Sequence, residues 1–137
     1  MSSSLSAALQ AYLQADATLL AACPGGVWMD PAPDQITQPF VTLTLVSGRD
    51  EGYGGGPRIT GATYEITAVA PVASAGAART AAARIDVLLD YAAITSTLTG
   101  HRVLGVRRVA PVDDTLEEIT GRWSRIGGEY ELWVEVA

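Results

Sequence analysis

Lysine is absent from this 137-residue chain, and histidine and cysteine occur once each, as His101 and Cys23. Each scarcity excludes something. One histidine and one cysteine cannot build a structural zinc site, and a lone cysteine cannot form an internal disulfide. A reducing compartment is therefore expected. No apolar run approaches the roughly 20 residues that cross a bilayer, so no membrane contact is expected. The N-terminus lacks the basic and apolar regions of a secretory signal. Positive charge is scarce overall: nine basic residues, all arginine, against fifteen acidic ones give a net charge of −6. That balance argues against a protein whose main task is gripping nucleic acid.

Apolar residues make up 48% of the chain and charged residues 18%, a globular composition for a single domain spanning residues 1–137. Ser2–Ser4 are suited to cap a first helix, which carries Leu5, Ala8, Leu9, Tyr12 and Leu13 at helical spacing. Asp16 is placed to restart it, and Pro24-Gly25-Gly26 stops it. Val27–Met29 reads as a short strand, followed by an irregular link through Pro31, Pro33 and Pro39. Phe40–Ser47 and Ala62–Ala70 alternate large aliphatic or aromatic residues with polar ones and predict a strand pair. An alanine-rich helix is predicted over Ser74–Tyr91, a strand over Arg102–Ala110 ended by Pro111, and a last strand over Gly121–Val136 bent at Gly127-Gly128. The expected fold is α+β: two helices on one face of a mostly antiparallel sheet of four to five strands, with a long β-hairpin arm.

That arm runs from Arg49 to Gly61, Arg-Asp-Glu-Gly-Tyr-Gly-Gly-Gly-Pro-Arg-Ile-Thr-Gly. It is far longer than an ordinary hairpin loop. Arg49, Asp50, Glu51, Tyr53 and Arg58 are residue types that form interfacial salt bridges and aromatic anchors, so the arm is read as binding a partner. A second polar connection, with Asp113, Asp114, Glu117 and Glu118, is purely acidic. Arg102, Arg107, Arg108, Arg122 and Arg125 make a separate basic group. A chain with one patch of each sign can pair head to tail with copies of itself.

No constellation in the sequence carries catalysis, and no cofactor is expected. His101 has no orienting acid or nucleophile assigned to it, and reads as a strand-edge histidine. Cys23 has no electropositive neighbours and reads as a small buried residue. The four acids of the second connection lack the glycine and spacing of a calcium loop. Gly54-Gly55-Gly56 is followed by neither a lysine nor a helix, so it is not a phosphate loop.

The order Leu-x-x-x-Leu-x-x-Tyr-Leu-x-Ala-Asp-x-x-Leu at Leu5–Leu19, then Gly25-Gly26-Val27-Trp28, then Gln38-Pro39-Phe40-Val41-Thr42-Leu43 resembles the tail-terminator or tail-completion proteins of long-tailed bacteriophages and gene transfer agents. Arg84–Leu89 and Glu129–Leu132 fit the same pattern, so the resemblance spans nearly the whole chain. It implies a structural virion protein at the tail–neck junction, assembled in the bacterial host cytoplasm and without active-site residues. It further implies a homo-oligomer, a hexameric ring that caps the tail tube and ends its growth. Its partners would be the tail tube protein and a head completion or neck protein, with DNA passing through the ring without sequence-specific binding. The alternatives are another head–tail connector, or a small cytoplasmic ligand-binding domain or enzyme.

Overall fold

The computed structural model describes residues 2–30, 37–51, 59–94, 98, 100–118 and 121–136. Helix α1 (Ser2–Gln14) breaks where α2 (Ala17–Ala22) begins. Asp16 is the reason for the restart: its Oδ2 accepts the Leu19 N–H at 2.8 Å, satisfying one of the free donors of the first turn. Gly26 then turns the chain at φ +92°, a left-handed conformation that suits glycine, into strand β1 (Val27–Met29). Strands β2 (Phe40–Glu51) and β3 (Ile59–Pro71) follow. A short 3-10 turn (Val72–Ser74) leads into α3 (Ala75–Leu88) and the single turn α4 (Tyr91–Ile94). Strands β4 (His101–Glu118) and β5 (Gly121–Val136) close the chain.

The sheet order is β1-β2-β3-β5-β4. Among the described residues only β1 and β2 run parallel. The helices cover one face, which makes this the expected α+β arrangement. Alternation decides what that face presents: Val41, Leu43, Tyr64, Ile66, Ala68, Leu132 and Val134 are all buried. Leu5, Leu9, Leu13 and Leu19 from the first helices, and Ala78, Ala81 and Ile85 from α3, complete the core. The alanines bring the α3 backbone close to the sheet. Ser6 Oγ and the buried Tyr64 hydroxyl satisfy each other at 2.7 Å.

The helix expected over Ser74–Tyr91 ends at Leu88, with Tyr91 opening α4, and three strand boundaries also differ from the sequence reading. β2 continues past Ser47 to Glu51, and β3 begins at Ile59 rather than Ala62, so both flanks of the Arg49–Gly61 stretch are sheet. β4 does not stop at Pro111. Proline is tolerated there because β4 is an edge strand, where its missing N–H need not face a partner. Asp113–Glu118 is accordingly strand, in register with Gly121–Ile126, and not a connection. The irregularities also move. β5 is continuous through Gly127-Gly128, and the register shifts fall at Val46 in β2 and at Leu104 and Val109 in β4. Gly127 serves close approach instead: a Cβ there would sit 2.8 Å from Thr67 Cα.

Candidate interaction surface

The sheet face opposite the helices is uncovered among the described residues. Its rows alternate with the core residues. Thr42 and Thr44 come from β2, Glu65 and Thr67 from β3, Arg125, Glu129, Glu131 and Trp133 from β5, and Asp114 from β4. Such a polar face is a surface for water or for another molecule. Its charges are matched across neighbouring strands. Arg125 Nη1 donates to Glu65 at 2.7 Å, and its Nε and Nη2 donate to Asp114 at 3.0 and 2.7 Å. Arg107 meets Glu131 at 3.3 Å and Arg102 meets Glu135 at 3.5 Å. The hydrogen bonds from Arg125 hold the Asp114 carboxyl below the ordinary aspartate range.

Two aromatic features sit on this face. Phe40 and Trp123 pack at 6.1 Å with their rings tilted by 58°. The Trp133 indole lies over Gly61, where a Cβ would come within 2.5 Å of its ring, and its N–H donates to Glu131 at 3.2 Å. A shallow recess of about 290 Å³ lies between Phe40, Val69, Leu116 and the charged Asp30, Glu65 and Arg125. Arg125 is already engaged by two carboxylates, so the recess offers no uncommitted cation to an incoming anion.

The residues singled out from the sequence fall into two groups at opposite ends of the sheet. Arg49, Asp50 and Glu51 are the last residues of β2, paired with Gly61, Thr60 and Ile59. Ile59 lies opposite Glu135, beside the start of β4. Tyr53 and Arg58 lie outside the described residues. Asp113, Asp114, Glu117 and Glu118 are at the far end, where β4 meets β5, with Glu117 opposite Arg122. From Arg122 to Glu135 along β5 is about 40 Å of strand. The structure thus brings neither group to the other. It does bring the acidic stretch to the basic group, because Asp114 and Arg125 pair within one chain.

Residues 7–135 match the family model described as "Tail completion protein gp17". The chain belongs to this family. It is a structural component of a virion tail. A chain from the virion of a native gene transfer agent particle shares the fold, with a TM-score of 0.69 at 22% identity, covering 96% of this chain and 94% of that one. No curated protein matches.

Cys23 is buried, and burial pushes its thiol up to about 11. His101 opens β4 with its backbone N–H on the Leu98 carbonyl at 3.2 Å. Among the described residues no cluster of acids, histidine and cysteine could hold a metal, and no helix is long and apolar enough to cross a membrane. The sequence reading missed one device. Gln14 Oε1 accepts the Val27 N–H at 2.8 Å and Gln10 Nε2 donates to the Val27 carbonyl at 2.9 Å, so α1 caps the outer edge of β1. The i, i+4 spacing of the two glutamines was the available signal.

Proposed function

We propose that this protein assembles as a ring, of six copies, that caps the finished tail tube, ends its growth and joins the tail to the head or neck. It acts by assembly and not by catalysis. The observation that supports this reading is the separation of its two charged strand ends, mixed at Arg49–Glu51 and acidic at Asp113–Glu118, by about 40 Å of continuous strand. A subunit built this way offers one end to the tube and the other to the neck. The net charge of −6 suits a ring through which DNA must pass without adhering.

Light scattering and electron microscopy of the purified protein, alone and with tail tubes, test the ring. A six-fold ring is expected, and a monomer under both conditions overturns the reading. Deleting Tyr53–Pro57 tests the arm. Near-normal folding with impaired joining of heads to tails is expected, and an unfolded variant would remove the arm's partner role. Rings that bind neck protein but never tubes would make the protein a connector of another kind.

A further inference from the structure

Resting on the ring reading, we propose that neighbouring copies join edge to edge. The outer edge of β4 over Arg102–Ala110 in one copy pairs with the outer edge of β2 over Thr44–Glu51 in the next. Strand edges carry unpaired N–H and C=O groups and are templates for another strand unless blocked. This sheet blocks one edge and leaves two stretches open. At β1 the backbone of Val27 is capped by Gln10 and Gln14. Cover on β2 ends with the Asp30 N–H on the Leu43 carbonyl at 2.9 Å, and past that point no described residue pairs with its outer edge. β4 is the other terminal strand, and no described strand lies beyond it. Pro111, without an N–H, sets a natural limit to pairing on β4.

The side chains at these edges favour a joint over a guard. Bulges and charges are both means of guarding an edge, and a guarded edge does not offer apolar side chains. Here the extra residue at each register shift is a large aliphatic: Val46 on β2, 52% exposed, and Leu104 and Val109 on β4, 37% and 48% exposed. Pairing would remove them from water. The charges complement each other as well. The β4 stretch holds Arg102, Arg107 and Arg108, the last already paired with Asp86, while the β2 stretch ends in Arg49, Asp50 and Glu51 with one net negative charge. Arg102 and Arg107 are 73% and 72% exposed and their contacts within the chain are long, so each keeps donors for a neighbour. The acidic remainder of β4, Asp113–Glu118, would repel the same partner. Joining two different edges is a heterologous contact, the kind that closes into a ring, whereas β4 on β4 would stop at a dimer and leave β2 bare.

Val46→Asp and Val109→Asp test this, with circular dichroism melting to confirm that each variant folds. Each alone is expected to stay monomeric where the wild type forms rings. Mixed one to one, they are expected to give dimers and no rings, because the first keeps an intact β4 edge and the second an intact β2 edge. Rings from either variant alone would overturn the edge joint while leaving the ring reading intact. So would monomers in the mixture, or dimers of Val46→Asp alone, which would indicate β4 on β4. A wild type that stays monomeric even with tail tubes would overturn both.

Discussion

Arg125 grips Asp114 with two parallel hydrogen bonds, Nε to Oδ1 at 3.0 Å and Nη2 to Oδ2 at 2.7 Å, while its third nitrogen reaches Glu65 at 2.7 Å. One guanidinium thereby ties β3, β5 and β4 together on the uncovered face. The acidic stretch and the basic group are therefore parts of one sheet, partly neutralised within the chain, and not two patches waiting for each other.

Arg125→Ala should lower stability by about 1–2 kcal/mol, since it leaves two carboxylates facing each other without their shared cation. Arg125→Lys should recover only part of this, because an ammonium cannot reproduce the planar two-point grip. Chemical denaturation of the three proteins measures the series. Equal stability of Arg125→Ala and the wild type would show that the network is decorative.

Acid should weaken the fold through two aspartates. Hydrogen bonds from Arg84 hold Asp16 below its ordinary value, and those from Arg125 do the same for Asp114. A carboxylate with a depressed folded pKa stabilises the protein above its unfolded value, and that contribution is lost as pH falls through the lower, folded value. Melting temperature should therefore fall as pH drops below about 4. Asp16→Asn should flatten part of that slope, and it should cost about 1–2 kcal/mol at pH 7 because the ion pair with Arg84 is lost and the N-cap is neutralised. Asp114, nearly half exposed, should contribute less.

How much of this was legible varies with the range of the interactions involved. The alternation of Tyr64, Ile66 and Ala68, the stripe Leu5–Leu13 and the restart at Asp16 are local patterns, and the fold follows them. The extents of β2 and β4 were not local. Asp113–Glu118 reads as a polar loop until Arg125, a strand away, supplies its partner. Pro111 reads as a stop until β4 is known to be an edge. Gly127 reads as a bend, yet the reason for glycine is the backbone of Thr67, sixty residues earlier in the chain. Of the site residues, the sequence identified the charges but could not show that Arg49–Glu51 and Asp113–Glu118 lie at opposite ends.

Gly61→Ala should be costly despite the small change. The new methyl would fall inside the Trp133 ring, forcing the indole off β3 and off its hydrogen bond to Glu131. Overpacking of this kind costs about 1–3 kcal/mol. Adding Trp133→Ala should make the Gly61→Ala step nearly neutral, a coupling that a double-mutant cycle reads directly. Additive effects would mean that the two residues do not clash.

Ser6→Ala should cost about 1–3 kcal/mol, because the Tyr64 hydroxyl, fully buried against α1, loses the serine oxygen that satisfies it. Tyr64→Phe in the same chain should restore most of the loss by removing the stranded group. Thermal melts of the two single variants and the double variant decide this. A double variant no more stable than Ser6→Ala would show that water or another group already satisfies the tyrosine.

Reversing charge at the two ends of the sheet should block different steps of assembly. Glu117→Lys with Glu118→Lys alters the acidic end, and Arg49→Glu, which adds to the negative charge that the proposed joint already carries on β2, alters the mixed end about 40 Å away along the strands. Both changes fall at strand ends, so each variant should melt within a few degrees of the wild type. Rim charges steer encounter and partner choice more than they hold a fold. One variant should therefore give tails of uncontrolled length, as tube growth goes uncapped, and the other capped tails of normal length without heads. Electron microscopy of particles assembled with each variant separates the outcomes. The same defect from both would place tube and neck contacts on one end of the subunit, and two normal particles would remove both ends from the interfaces.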